Sequence, residues 1–431
     1  MNICVVALGK IGLPLAVQFA SMGHRVRGAD INPALVDCIN RGDEPFPGEG
    51  GLAELLRGVI DDGSLTATTD TTSAVSESEA VVVVVPLVVD GDARPEFTAM
   101  DAAAEAIGRG LRPGTLVSFE TTLPVHTTRQ RFTPRLAELS GLTPGEDLFV
   151  CFSPERVYSG RIFADLRKYP KIIGGINGES ARRAEDFYQS VLSFDDRDDL
   201  SRPNGVWDVG SAEAAELVKL AETTYRDVNI GLANEFAIYA RRNDMDVFSV
   251  IEAANSQPFS HIHQPGISVG GHCIPVYPRL YLSNDPDARL PKASRETNDS
   301  MPGEFAEMLR LARGGSLDGT RVLVLGLAYR GGVKEPAFSG TYSLVEELRA
   351  RGAVVGVHDP LFSADELSAE GFEPAEPGEQ WEALVLHTDH DEYRDLEPSD
   401  LPGVETVVDG RAFLDATLWI EAGRDYLSLR P

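Results

Sequence analysis

Three short stretches of this chain carry residue types that could do chemistry. In Gly270-Gly271-His272-Cys273-Ile274-Pro275 a cysteine stands beside two glycines. A thiolate is a strong nucleophile, and glycine lets a ligand come close to the backbone. A lone cysteine is more often a small buried apolar residue; here its neighbours argue for an accessible loop. Lys219 sits within Ala214–Glu222, a stretch at helical spacing. A lysine can donate to an oxyanion and has a pKa that its surroundings tune. The plainer reading is a solvated charge near Glu216 and Glu222. The third stretch, Ala7-Leu8-Gly9-Lys10-Ile11-Gly12, follows an apolar run and opens a helix. It is a GxGxxG fingerprint with alanine in the first place. Gly9 would let the backbone approach a pyrophosphate, and Gly12 would let helix and strand pack closely. Asp30 ends the next strand, where a carboxylate accepts from ribose hydroxyls and repels a 2′-phosphate, so NAD is favoured over NADP. An ordinary βα turn is the alternative, and the strand, turn, helix and acid together outweigh it.

Two patterns near the cysteine point elsewhere and are set aside. Gly266-Ile267-Ser268-Val269-Gly270 matches the GxSxG nucleophile elbow, but Pro265 precedes it and Pro275 and Pro278 follow, where the elbow needs a buried strand and a helix. His261, His263, His272 and Cys273 lack the carboxylate pattern that would make them a metal site, so no metal is expected.

The elements that must position these residues are legible as alternating runs. Short β-rich stretches at 2–7, Arg25–Ala29, Ala80–Val85, Leu116–Phe119, Phe149–Phe152 and Lys171–Gly174 read as buried strands. Helical stretches such as Leu13–Met22, Met100–Ile107 and Ser180–Val191 lie between them. A second strand–glycine–helix unit starts at Arg321–Leu325, with further strands at Val354–Val357 and Ala383–Leu386. Ser211–Asn243 reads as one long helix, with an apolar face that suits a homodimer, and Ser256–Pro291 as a structured loop rich in Pro and Gly. The fold class is therefore α/β: two Rossmann-like, doubly wound parallel-sheet domains joined by a central long helix region. A chain of 431 residues has room for such a division. Its 39 basic and 67 acidic residues give a formal charge of −28, which disfavours nucleic acid and anionic membranes as partners. Four scattered cysteines without a CxxC pair, an N-terminus unlike a signal peptide and no long apolar run lead to the expectation of a cytoplasmic protein.

Several motifs together resemble the nucleotide-sugar 6-dehydrogenase family, which includes UDP-glucose and UDP-N-acetylmannosamine dehydrogenases. They are the turn at 9–14, Asp30-Ile31-Asn32-Pro33, Ser153-Pro154-Glu155-Arg156-Val157, Lys219-Leu220 with Tyr225–Ile230, Ala233-Asn234-Glu235, Gly270–Val276, 298–302, Gly326–Arg330 and Asp409-Gly410-Arg411. The form Gly-Gly-His-Cys-Ile-Pro-Val is more similar to the N-acetylhexosamine branch. The resemblance implies an NAD-binding domain over 1–205, a central helical dimerisation and catalytic region over 206–310 and a UDP-sugar-binding domain over 311–431. It implies oxidation of the C6 alcohol of a UDP-hexose to a uronic acid by two hydride transfers to NAD, through a thiohemiacetal and a thioester on Cys273. Lys219 would stabilise the oxyanion, with Thr122 and Glu155 ordering water and substrate. Gly9, Lys10, Ile11, Gly12, Asp30, Pro86 and Thr122 would bind the cofactor. Glu155, Arg156, Lys219, Asn229, Gly270, Gly271, Arg330 and Arg411 would bind the substrate. The chain departs from the family at Tyr277, where relatives have Asp, and at Thr223, where they have Asn; Thr223 then enters the catalytic set. Phe259 stands where relatives carry Arg. Two alternatives stay open: a variant that stops at the aldehyde or epimerises, and an inactive nucleotide-sugar-binding paralogue.

Overall fold

The structure, a computed structural model, describes residues 1–90 and 94–430. Packing divides the chain into two compact units, Met1–Glu222 and Thr223–Pro431. The first is built on β1 (Asn2–Val6), β2 (Arg25–Ala29), β3 (Leu65–Thr68) and β4 (Ala80–Val83), followed by a small antiparallel hairpin of β5 (Val88–Val89) and β6 (Pro95–Glu96). Then come β7 (Leu116–Phe119), β8 (Phe149–Phe152), β9 (Lys171–Gly175) and β10 (Val206–Asp208). Eight strands form one sheet in the order β10-β9-β8-β7-β4-β1-β2-β3. β4, β7 and β8 are buried at every position, so they read as apolar runs, broken only by Ser118 in β7, and not as alternating ones.

One pairing departs from the expected parallel sheet. β8 and β9 run antiparallel, with Phe152 opposite Gly174. The reversal has a consequence for chemistry. Parallel strands bring their C-terminal ends to one edge, where βα loops gather functional groups. An antiparallel β9 brings its first residue, Lys171, to that same edge.

The second unit holds a five-stranded sheet, β12-β11-β13-β14-β15, parallel throughout. Its strands are β11 (Arg321–Leu325), β12 (Val354–His358), β13 (Ala383–Leu386), β14 (Thr406–Asp409) and β15 (Asp425–Ser428). Val322 and Val324 enter one core with Phe305 and Leu344, while Leu323 and Leu325 enter another with Trp381 and Trp419. That split is the mark of a sheet covered on both faces.

The long helix is observed at Ala212–Arg242, with Glu213 in its first turn and Arg241 and Arg242 in its last, each at the end its charge favours. The boundary between the two units falls within it. The reading of Ser256–Pro291 as loop is corrected at its far end. Tyr277–Asn284 is a helix, and Arg289–Ala312 begins before Pro291. Pro278 and Pro291 sit in first turns, where the missing N–H has no partner to lose, so proline signalled helix starts as much as breaks. Among the described residues, no helix is long and apolar enough to cross a membrane.

Candidate active site

The nucleotide turn is formed as its sequence requires, with one strained residue. Ala7 follows β1 at φ 73°, the left-handed region that glycine occupies at no cost. A Cβ on Gly12, at the start of the helix Gly12–Ser21, would collide with the Ala7 carbonyl oxygen, so close approach of strand and helix demands glycine there. A Cβ on Gly9 would meet nothing within 4 Å, which leaves open the side on which a phosphate would lie against the helix N-terminus. Lys10 is exposed and Ile11 packs on the core, so both offer their backbone to a ligand. Asp30, half-buried, accepts from Leu8 N at 2.8 Å through Oδ2 and from Asn32 N at 2.9 Å through Oδ1. Pro86 is exposed beyond β4, and Thr122 is buried beyond β7, beside Thr121, whose hydroxyl donates to the Val85 carbonyl at 2.6 Å. An open glycine, a helix start and a carboxylate at the end of β2 fit the adenosine side of NAD.

At the same edge of the sheet, Lys219 donates from Nζ to the backbone carbonyl of Glu155 at 2.6 Å. The Glu155 carboxylate turns inward. Its Oε1 accepts from Arg156 N at 2.7 Å and its Oε2 from Lys171 Nζ at 2.8 Å. Lys171 also donates to Glu120 Oε2 at 2.9 Å, and its ammonium lies 4.8 Å from the centre of the Tyr188 ring. Tyr188 Oη donates to Glu120 Oε1 at 2.6 Å and stands 2.6 Å from Ser118 Oγ. The Lys171 and Glu120 side chains are 5% and 0% exposed, and Glu155 is 11% exposed. Two carboxylates share one ammonium here, and they separate. Burial pushes Glu120 up to about 7, against the pull of Lys171. Burial works on Glu155 too, but Lys171 and the Arg156 N–H hold it below the usual carboxylate range. The Arg156 guanidinium is spent on Glu222 at 2.5 Å and on the Pro170 carbonyl at 3.2 Å. A small crevice, with room for little more than a water molecule, lies here, lined by Glu155, Arg156, Tyr169, Pro170 and Lys171 among others. Glu216, one helical turn before Lys219, accepts from His126 N and Thr128 N at 2.7 and 2.8 Å, and burial pushes it up to about 7.

In the second unit Cys273 is exposed, just ahead of the helix Tyr277–Asn284, and its carbonyl accepts from Tyr277 N at 2.9 Å. The loop is fixed from behind. Gly271 N donates to the Ala337 carbonyl at 3.0 Å, and a Cβ on Gly270 would press on Tyr329 Cβ at 2.6 Å. Thr223 is buried. Asn229 spends its amide on the loop that follows the helix Val247–Asn255, donating to the His261 carbonyl at 2.8 Å and accepting from His263 N at 2.9 Å. It thus shapes the loop rather than standing with its amide open. Arg411, partly buried, donates from Nε to the His387 carbonyl at 2.8 Å, and burial lowers its pKa. Its Nη1 would lie 3.3 Å from a Cβ on Gly266. Arg330 follows Tyr329 at the end of the β11 turn, half-buried.

The set-aside serine does meet a histidine. Ser268 Oγ lies 2.8 Å from His387 Nε2, and His387 Nδ1 lies 2.9 Å from Thr388 Oγ1. Both are buried, and burial keeps His387 neutral far below its ordinary pKa, so the pair is a satisfied core contact. Among the described residues, no group of three or more His, Cys, Asp or Glu is placed to hold a metal ion. The structure thus brings Glu155, Arg156 and Lys219 together in the first unit. It adds Glu120 and Lys171, which the sequence reading missed, since a lysine opening a strand looks like a surface charge.

Comparison with known proteins is consistent along the chain. Residues 1–192 match the NAD binding domain of the UDP-glucose/GDP-mannose dehydrogenase family, 213–300 its central domain and 323–416 its UDP binding domain. A UDP-N-acetyl-D-mannosamine dehydrogenase of Pyrococcus horikoshii is 36% identical over 400 residues, covering 92% of this chain and 91% of that protein. A solved structure of the UDP-D-ManNAc dehydrogenase from that organism superposes with a TM-score of 0.88 at 32% identity, over 100% of this chain and 99% of the other. An NDP-N-acetyl-D-galactosaminuronic acid dehydrogenase from Methanosarcina mazei Go1 gives 0.85 at 28% identity, over 99% and 94%.

Proposed function

Because this chain belongs to the UDP-glucose/GDP-mannose dehydrogenase family and takes NAD as its cofactor, we propose that it oxidises the C6 alcohol of a UDP-N-acetylhexosamine to the uronic acid. The names of its relatives, UDP-N-acetyl-D-mannosamine dehydrogenases, support that substrate class. The observation that carries the reading is the exposed Cys273 thiol on a loop fixed by the Gly270–Gly271 backbone.

NAD, when bound, supplies the hydride acceptor for each of the two oxidations; Gly9, Gly12 and Asp30 are the residues that would hold it. In the reading, Cys273 Sγ loses its proton and adds to the C6 aldehyde, giving a thiohemiacetal, and the second oxidation leaves a thioester. Water then adds to the acyl carbon, the C–S bond breaks and the sulfur takes back a proton. Lys219 donates to the oxyanion that develops at C6. Glu155, which anchors Lys219 through its backbone, orders water with Thr122 and Thr223. Arg330 and Arg411 offset the diphosphate, since an acidic chain needs local cations for such a ligand.

The test is NADH absorbance with a panel of UDP-hexoses, sugar limiting. Two NADH per sugar establish the four-electron reaction, and Cys273→Ser is expected to abolish acid formation. One NADH per sugar would end the reading in favour of an aldehyde-forming enzyme, with Tyr277 and Thr223 as the cause.

A further inference from the structure

We propose that Lys171 is the positioning residue of the lysine site: clamped between Glu120 and Glu155, it fixes the Glu155 peptide whose carbonyl receives Lys219. The geometry comes from the one antiparallel pairing of the first sheet. β9 enters at the edge where β7 and β8 leave, so Lys171 meets Glu120, just past β7, and Glu155, three residues past β8. An ammonium has three protons, and Lys171 has three targets: Glu120 Oε2, Glu155 Oε2 and the face of Tyr188. With its carboxylate held there and on Arg156 N, Glu155 cannot turn its side chain without breaking a buried ion pair. Its carbonyl therefore presents a fixed acceptor to Lys219.

The cluster also has a state to change. The groups facing Glu120 are Tyr188 from the helix Gly178–Val191, Cys151 from β8, Lys171 from β9 and Glu155 from the loop after β8. Burial pushes the Cys151 thiol up to about 12 and raises Tyr188, so neither carries charge near neutral pH. Only one negative charge is balanced by Lys171. With Glu120 protonated, the cluster is neutral and Lys171 belongs to Glu155. With Glu120 ionised, two carboxylates compete for one ammonium in a buried space, and the anchor of Lys219 loosens.

The inference rests on the reading above only in giving Lys219 and Glu155 work in the reaction, and one arm of its test needs no turnover. The chain has six lysines, so selective ¹⁵N-lysine labelling yields few Nζ signals to assign by substitution. The Nζ signals of Lys171 and Lys219 are expected to shift together, both ammoniums staying charged, as Glu120 ionises with a midpoint near pH 7, and Glu120→Gln is expected to abolish that shift in both. Glu216→Gln, which removes the other carboxylate raised to about 7, is expected to leave it in place. In turnover, Lys171→Met is expected to lower kcat tenfold or more with KM for NAD held within twofold, and Lys171→Arg to restore most of it. Thermal unfolding checks that each variant is folded. A Lys219 signal that ignores Lys171→Met and Glu120→Gln, or that follows Glu216→Gln instead, overturns the proposal. Loss of all UDP-hexose turnover in the unsubstituted protein would sink the functional reading and leave the NMR result to decide this one.

Discussion

The chain makes the same turn twice and uses it differently. In both units a strand runs into a tight turn whose backbone N–H groups are met by an aspartate at the end of the neighbouring strand. Asp30 meets Leu8 N in the first unit, and Asp359 meets Leu327 N and Ala328 N at 2.7 and 2.8 Å in the second. Asp30 is half-buried, with lone pairs to spare for a ligand. Asp359 is buried, and accepts further from His390 Nε2 at 3.1 Å and Leu361 N at 2.9 Å. The helix after the first turn begins at Gly12, directly behind it, whereas the helix after the second waits until Gly340. The first turn stays open, as a dinucleotide would need, and the second is closed on itself. A shared βα device need not serve a shared ligand; the carboxylate's remaining valence makes the difference.

The sharpest way to break this comparison is to remove each carboxylate. Asp359→Ala strands two buried N–H groups and a histidine, and is expected to cost about 3 kcal/mol or more of stability. Asp30→Ala is expected to cost about 1 kcal/mol in stability yet weaken NAD binding tenfold or more. Thermal unfolding and NADH fluorescence titration separate the two, and equal losses in stability would erase the contrast.

Within the first turn, Gly12→Ala is expected to destabilise the unit by about 2–4 kcal/mol, since the new methyl meets a backbone oxygen. Gly9→Ala is expected to keep the fold and lose NAD affinity, because its methyl takes space reserved for ligand.

A pH series sharpens the same distinction at the level of whole units. Glu120 and Glu216, both in the first unit, are raised from 4.5 to about 7. The folded form then holds protons that the unfolded chain has released, so stability is fullest below 4.5 and falls as pH rises toward 7. Each group contributes a slope of up to about 1.4 kcal/mol per pH unit. Asp359 is lowered, against its burial, by His390 and backbone N–H groups, so its contribution is present above 3.8 and lost in acid. Unfolding followed from pH 4.5 to 7.5 is expected to show the slope, reduced in Glu216→Gln. The smallest effect is Ala7→Gly, which relieves the left-handed alanine and is expected to stabilise by about 1 kcal/mol.

Much of this was legible in the residues. Buried strands such as Leu116–Phe119 and Arg321–Leu325 announce themselves as β-branched or aromatic runs, and their limits match the structure. The glycine turn and the Cys273 loop are local patterns, readable without tertiary contacts. What escaped depends on partners distant in sequence. The antiparallel β9 has no local mark, because nothing within Lys171–Gly175 fixes which way the strand runs beside β8. Glu120 and Lys171 lie 51 positions apart and become a pair only through that reversal. The strain at Ala7 needed a dihedral angle, although the missing glycine was a hint.

The four cysteines show one more consequence. Cys4 and Cys151 are buried, with thiols pushed up to about 12, and Cys38 is half-buried against the Asp43 carbonyl. Cys273 alone among them is exposed. An electrophilic reagent in small excess is therefore expected to place one label per chain, on Cys273. The same asymmetry sets how the molecule ages: an oxidant reaches Cys273 first and leaves the buried thiols, and the cores they sit in, untouched.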